Sequence, residues 1–320
     1  MTPTRLAVFA AALLSATLLS RTASAQEPTI GIAVPNLASS FWISAVYGME
    51  DEAKKDHAAI VKLNAGGDAN TSQQISQIQD LIQRKVDAII VGATNGDGVK
   101  AIVERAVDAG IPVIGISSPP NTAKLASMIS ADHYGMGRLQ AECLAKAIGG
   151  KGNIAMMAGP SGQAWSDQRA QGFKDTLAKE APDAKIVAES RLADNRNAAL
   201  STAEDWTQRF PDLAGIYAAT DDMAAGVVSA FKEAGMGANV HVSASNFSPT
   251  AQQMLKDGDI ACTSIQEVVV QGRAALQQAV NAATKKKVEP QVVTPALLVT
   301  RDNMATVDLS SAVAPADYRP

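Results

Sequence analysis

"DAIIVGATNGDGVKAIVERAVDAG", residues 87–110, holds a complete unit of architecture: an apolar β-rich run, a polar turn with Asp97, and a helical pattern that closes on Ala-Gly. The opening run is too short for a helix and is followed by turn residues, so it reads as a strand. Gly110 stands before Ile111 and Pro112 and supplies the residue that ends a helix. "IPVIGI", residues 111–116, follows as the next strand. Toward the N-terminus the alternation continues: "TIGIAV" at 29–34 precedes a helix from Phe41, and "AIVKLN" at 59–64 precedes "NTSQQISQIQDLIQRK" at 70–85. In that helix Ile75, Ile78 and Ile82 share one stripe, and Thr71 with Gln74 has the spacing of a capping box. Strand–helix–strand units with short links require right-handed crossovers, so the strands are parallel and helices cover both faces.

The pattern then repeats. From Gly152 onward come "GNIAMM", "AKIVAE", "LAGIYAA", "NVHVSA" and "IACTSI", each separated from the next by a helical stretch. Wording repeats too: "LAGIYAATDDMAAGVVSAFKEAG", residues 213–235, has the same strand, Asp-bearing turn and Ala-Gly ending as the stretch at 87–110. Two similar doubly wound α/β domains are expected.

Composition narrows the partners. The 320 residues are 47% hydrophobic and 19% charged with a net charge of -4, a globular composition whose surface repels phosphate backbones. Nucleic acid is therefore excluded as an expected partner. Arg5, an apolar stretch at 6–19 and the small residues Ala23, Ser24 and Ala25 read as a secretion signal cleaved before Gln26. No later apolar run is long enough to span a bilayer, and no cysteine stands near the cleavage point to carry a lipid, so a soluble periplasmic protein is expected. Cys143 and Cys262 could form at most one disulfide there; their pairing is open, with two buried unpaired thiols the favoured reading.

In open parallel sheets ligands bind beyond the carboxyl ends of the strands. The residues at those places are Phe41, Trp42, Asp68, Asn95, Ser117, Ser118, Trp165, Asp194, Asn195, Thr220, Asp221, Asn246 and Gln266, with Arg169 one helical turn past Trp165. Rings, amides and carboxylates suit a small polar solute, uncharged or zwitterionic. Catalysis finds no such support. "IGGKGN" at 148–153 is not a phosphate loop, "GPSGQ" at 159–163 is not a nucleophile elbow, and His57, His133 and His241 lack metal-ligand spacing. Asp221 and Asp222 read as helix-capping acids. No enzyme activity, cofactor or metal is expected.

The stretches "FWISAVYGMEDEAKK", "QISQIQDLIQRKVDAIIVGA", "AGIPVIGI", "ISADHYGMGRLQAECLA", "RAQGFKDTLA" and "AATDDMAAG" together resemble type 1 periplasmic solute-binding proteins of the ribose-binding kind, over residues 29–300. The resemblance implies two Rossmann-like lobes joined by a three-stranded hinge. It places lobe one at 26–131 plus 267–295 and lobe two at 132–266 plus 296–320, after the signal at 1–25. It also implies a monomeric receptor whose closed form is read by ABC permease subunits in the inner membrane.

Carried onto this chain, the family's stacking rings fall on Phe41 and Trp42, its lobe-two arginine on Arg169, its hinge glutamine on Gln266 and its last-strand aspartate on Asn246. Three positions depart. Ser117-Ser118 replaces a charged Asp-Arg fork, Thr220 replaces an asparagine, and Asp194 stands where a second-lobe phenylalanine is expected, leaving Trp165 as the opposing ring. "NAGGDAN", "QISQIQDL" and "GPSGQAW" are also similar to a subfamily of trimethylamine-N-oxide-binding sensors, which implies the alternative of a binding protein for a methylated amine signalling to a membrane histidine kinase. The favoured expectation is an importer receptor for a sugar, polyol or similar hydroxylated solute. Trp42 and Trp165 would stack on it, and Asp68, Arg169, Asn246 and Gln266 would hydrogen-bond.

Overall fold

The computed structural model describes residues 27–67 and 69–320; the expected signal segment and Asp68 lie outside the described residues. Lobe one alternates up to β4, which a loop joins to β5: β1 (Thr29–Val34), α1 (Ser40–Lys55), β2 (Ala59–Asn64), α2 (Thr71–Gln83), β3 (Ala88–Val91), α3 (Lys100–Asp108), β4 (Val113–Ile116) and β5 (Ser127–Ala131). The chain then enters lobe two through α4 (His133–Ala147), β6 (Lys151–Met157), α5 (Ala164–Glu180), β7 (Asp183–Ser190), α6 (Arg196–Arg209), β8 (Leu213–Ala218), α7 (Asp221–Glu233), β9 (His241–Ser245), α8 (Pro249–Asp257) and β10 (Cys262–Gln266). It returns to lobe one for α9 (Val268–Ala283) and β11 (Gln291–Thr294), and crosses again into β12 (Ala296–Thr300). The sheets run β11-β5-β4-β3-β1-β2 and β12-β10-β9-β8-β6-β7, the same order twice. Every pairing is parallel except β10 with β12.

Strand periodicity sorts the core. Ile30, Ile32 and Val34 pack in one cluster with α1 and α9, while Ala33 points the other way into a cluster with α2 and α3. Each such fully buried aliphatic side chain contributes about 1.5–3 kcal/mol. In each lobe the helix that follows a crossing lies unusually close to a neighbour. A Cβ on Gly48 or Gly272 would overlap the facing backbone of the α1–α9 pair, and one on Gly137 or Gly172 that of the α4–α5 pair.

Gly110 has φ +85° just beyond the C-cap Ala109 of α3, as its sequence context requires. The capping box does not form. Asn70 is the N-cap of α2, and Gln74 is buried, donating to the Ala33 and Gly92 carbonyls and accepting from the Thr94 amide. The Ala33 carbonyl also accepts from the Gly92 amide, but the Gly92 carbonyl and the Thr94 amide are satisfied by Gln74, and joining them outweighs an exposed cap.

The favoured reading of two free thiols is corrected: Cys143 of α4 and Cys262 of β10 form a disulfide across a sequence separation of 119. The Cα atoms lie 6.7 Å apart because α4 packs against the sheet at β10, a contact that no local pattern announces.

The tail touches both lobes. Met304, Val307 and Val313 pack on the lobe-two core, but the Ala314 amide then donates to Ser44 Oγ at 3.0 Å, and the Tyr318 hydroxyl donates to Glu50 Oε2 at 2.8 Å. Tyr318 stacks edge-on with Tyr47 at 5.0 Å. The last residues therefore lie on α1 of lobe one and strap the two lobes together.

Candidate functional site

Topology alone makes a cleft. The first crossing leaves the carboxyl end of β5, the second leaves that of β10, and the third runs from the carboxyl end of β11 through Pro295 into β12. They lie side by side, with Thr294 opposite Ala131 and Ala296 opposite Gln266, and the Asp132 amide donates to the Thr294 carbonyl at 2.9 Å. The carboxyl edges of both sheets must therefore face each other, and the loops after each strand fill the space between.

Lobe one supplies rings and neutral polar groups. Phe41 and Trp42 open α1, with ring centroids 5.0 Å apart at 86°. Trp42 is only 6% exposed and packs in the core with Val46, Met49 and Ala53. Its six-membered ring occupies the space a side chain on Gly92 would take, just past β3. The absent Cβ lets the indole sink, and half-buried Phe41 stands beside it as the more accessible ring. Asn95 is exposed and accepts from the Gly98 amide at 2.7 Å, holding the turn that follows β3. Ser117, half-buried, adopts φ +60° directly after β4.

Lobe two supplies charge. Arg169 in α5 is 2% exposed. Its Nη1 donates to the Ala219 carbonyl at 2.8 Å, its Nη2 to Asn246 Oδ1 at 3.4 Å, and its Nε to His133 Nδ1 at 3.4 Å. Its guanidinium carbon lies 5.1 Å from the ring centroid of Trp165, a cation–π arrangement. Gln266 donates to the same Asn246 oxygen at 3.1 Å, and Gln271 of α9 donates to Gln266 Oε1 at 3.4 Å. Asn246 sits directly after β9 with φ +73°, the same place in its sheet as Ser117 in the other. Strained non-glycine residues at matching strand ends are characteristic of built sites. Trp165 is half-buried, with its indole N–H given to Gln163 Oε1 at 2.6 Å.

No carboxylate among the described residues forms an ion pair with Arg169, and burial lowers its pKa to about 10, against the opposing pull of Tyr217, Asp194 and Asp221. It stays charged at neutral pH. Asp194 accepts from the Thr220 hydroxyl at 2.6 Å. Its surface is exposed although protein surrounds it on most sides, as on a cleft wall, and burial pushes its carboxyl up to about 6 with repulsion from Asp222 and Asp221 added. Water at that exposed surface screens part of the effect. Asp221, buried, is raised by the same desolvation and accepts from the Ser248 amide at 2.8 Å.

Arg169, Trp165, Asn246 and Gln266 thus form one connected set, Asp194 and Thr220 a second, and Phe41 with Trp42 a third. Asn95 and Ser117 stand at strand ends of lobe one, apart from these sets, and Asp68 is outside the described residues. His133, which the sequence does not single out for the site, joins the first set through Arg169. The signal was its position: it is the first residue after a crossing.

Residues 30–287 match the model of the periplasmic binding protein domain family. The chain belongs to this family. Among its relatives is the xylitol-binding protein of Mycolicibacterium smegmatis, 32% identical over 285 residues that cover 88% of this chain and 80% of the relative. The ribose import binding protein of Bacillus subtilis is 27% identical over 282 residues, 88% of this chain and 90% of its own. A periplasmic solute-binding protein of an ABC transporter from Actinobacillus succinogenes, solved with bound D-allose, superposes with TM-score 0.82 at 28% identity, covering 88% of this chain and all of that one. The doubly wound two-lobed architecture expected from the sequence is that of the family. These relatives do not show the similarity to amine-oxide sensors that three short stretches suggested. Among the described residues no helix is long and apolar enough to cross a membrane.

Proposed function

We propose that this chain is the periplasmic receptor of an ABC importer, exported by its N-terminal signal and binding a sugar or polyol between its lobes. The observation that carries this reading is the convergence at facing strand ends. Phe41, backed by Trp42, comes from one sheet, and Trp165, Arg169, Asn246 and Gln266 come from the other. Aromatic faces accept the C–H surface of a polyhydroxylated solute, while a guanidinium and two amides serve its hydroxyls. The kinship with xylitol-, ribose- and allose-binding proteins supports the same ligand class. A solute touching both lobes binds the closed form better and shifts the hinge toward it, and permease subunits then recognise that form. Micromolar affinity needs about 8 kcal/mol, which stacked rings and several buried polar pairs supply after ordering costs. The receptor acts as a monomer.

The experiment is a thermal-shift panel on the mature chain with xylitol, D-ribose, D-allose, myo-inositol and trimethylamine N-oxide. A ligand at a hundred times its Kd stabilises the native form by about 2.7 kcal/mol. Stabilisation by at least one sugar or polyol is expected; a response confined to the amine oxide, or none, overturns the reading.

A further inference from the structure

We infer that His133 is a positioning residue for Arg169, its Nδ1 accepting from the Arg169 Nε–H and so orienting the guanidinium from the point where the chain crosses between lobes. The inference rests on the reading of Arg169 as a ligand-binding group.

Three hydrogen bonds hold the guanidinium, and they are not equivalent. Ala219 follows β8 and Asn246 follows β9, both inside lobe two, whereas His133 begins α4 immediately after the crossing residue Asp132. Asp132 caps α4 by accepting from the Gly135 amide at 2.7 Å, and its own amide is tied to the third crossing at Thr294. His133 therefore starts from a doubly anchored point. Gly137 lies one turn further along α4, on the same face as His133, and a Cβ there would overlap the Arg169 carbonyl. That close approach brings the arginine side chain to the imidazole.

The contact dictates the chemistry of the ring. Nδ1 can accept only from a neutral imidazole, so the hydrogen must sit on Nε2. Burial, with Arg169 beside it, holds the pKa near 3, so the ring is neutral under physiological conditions. Nε2 is itself buried and has no partner among the described residues, and His133 is 5% exposed.

The bonds also form a continuous line. From His133 at the first crossing they pass through Arg169 and Asn246 to Gln266 at the second crossing, and on to Gln271 of lobe one. The arginine that meets the ligand is thus held between two hinge segments.

Two measurements test this. Long-range proton–nitrogen spectra of the ligand-free protein, with His133 assigned through His133→Asn, are expected to show a neutral Nε2–H tautomer down to pH 5. The Arg169 Nε–H resonance is expected to persist in His133→Asn, which keeps an acceptor, and to vanish or exchange rapidly in His133→Leu. A charged ring, the Nδ1–H tautomer, or an Arg169 Nε–H signal unchanged in His133→Leu overturns the inference. Calorimetry with whichever of xylitol, D-ribose or D-allose binds is expected to show His133→Leu weakening affinity roughly tenfold to a hundredfold, and His133→Asn restoring most of it. Equal affinity for all three proteins also overturns it. If no panel solute binds, the proposed function fails, and the spectra still decide whether His133 orients Arg169.

Discussion

Lobe one and lobe two share a strand order and differ in how they use it. In lobe one the sheet separates two apolar cores, one under α1 and α9 and one under α2 and α3; in lobe two a single continuous cluster wraps the sheet. The site chemistry divides the same way. Among the described residues, the lobe-one strand ends carry the uncharged Phe41, Asn95 and Ser117, while those of lobe two carry Asp194 and Asp221 beside Arg169, whose guanidinium is buried and hydrogen-bonded without an ion pair. Among the described residues, equal topology thus carries unequal chemistry: lobe one presents rings with neutral polar groups, and lobe two a charged network whose buried members are hydrogen-bonded to be tolerated.

The sharpest way to break this contrast is to truncate a tryptophan in each lobe. Trp42→Ala opens a cavity over Gly92 and is expected to cost about 3–5 kcal/mol in urea unfolding. Trp165→Ala, half-buried, is expected to cost under about 1.5 kcal/mol while weakening solute binding roughly tenfold. Comparable stability losses for the two would erase the distinction. Next in size is the disulfide, which only lobe two possesses. Replacing both Cys143 and Cys262 with serine is expected to lower stability by about 2–4 kcal/mol, and differential scanning calorimetry should show lobe two melting earlier.

A smaller effect follows from Asp194. Its folded pKa of about 6 lies above the ordinary 3.8, so between those values the folded chain binds more protons than the unfolded one. Its contribution to stability is therefore greatest in acid and declines as pH rises through 6. Asp194→Asn is expected to gain stability relative to the parent on going from pH 4 to pH 7, measured by urea unfolding at each pH; a constant difference would show the carboxyl to be unperturbed. The smallest effect concerns the strap. Tyr318→Phe removes the bond to Glu50 and is expected to cost about 0.5–1.5 kcal/mol. Because the strap joins the lobes, solute-induced closure should also become easier, read as a tighter Kd in Tyr318→Phe; an unchanged Kd would confine the tail to stability.

Much of the fold is legible in the chain because its signals are local. The apolar runs at 29–34 and 88–91 and the glycine at 110 announce strands and a helix end without distant partners. β5, β11 and β12 are harder to see. "SMISA" and "QVVT" are short and flank the crossings, and their pairing partners lie across the molecule. Gln74 shows how local logic fails: its spacing from Thr71 suits an exposed cap, but burial beside two strand ends gave it stronger bonds. At the candidate site, the strand-end rule singled out Arg169, Asn246 and Gln266, which the structure joins in one hydrogen-bonded set. It could not tell that Trp42 would sink, since that depends on the space above Gly92.

By itself the sequence determined the alternation of strand and helix, the doubling of that pattern and the set of residues delivered to strand ends. These follow from side-chain periodicity and backbone preference over a few residues. Only the tertiary structure decided which ring stays accessible, that Cys143 meets Cys262, that His133 meets Arg169, and that the tail returns to α1. Those outcomes depend on which surfaces come within bonding distance once the layers are stacked, and residues separated by 36 to 270 positions carry no mark of one another along the chain.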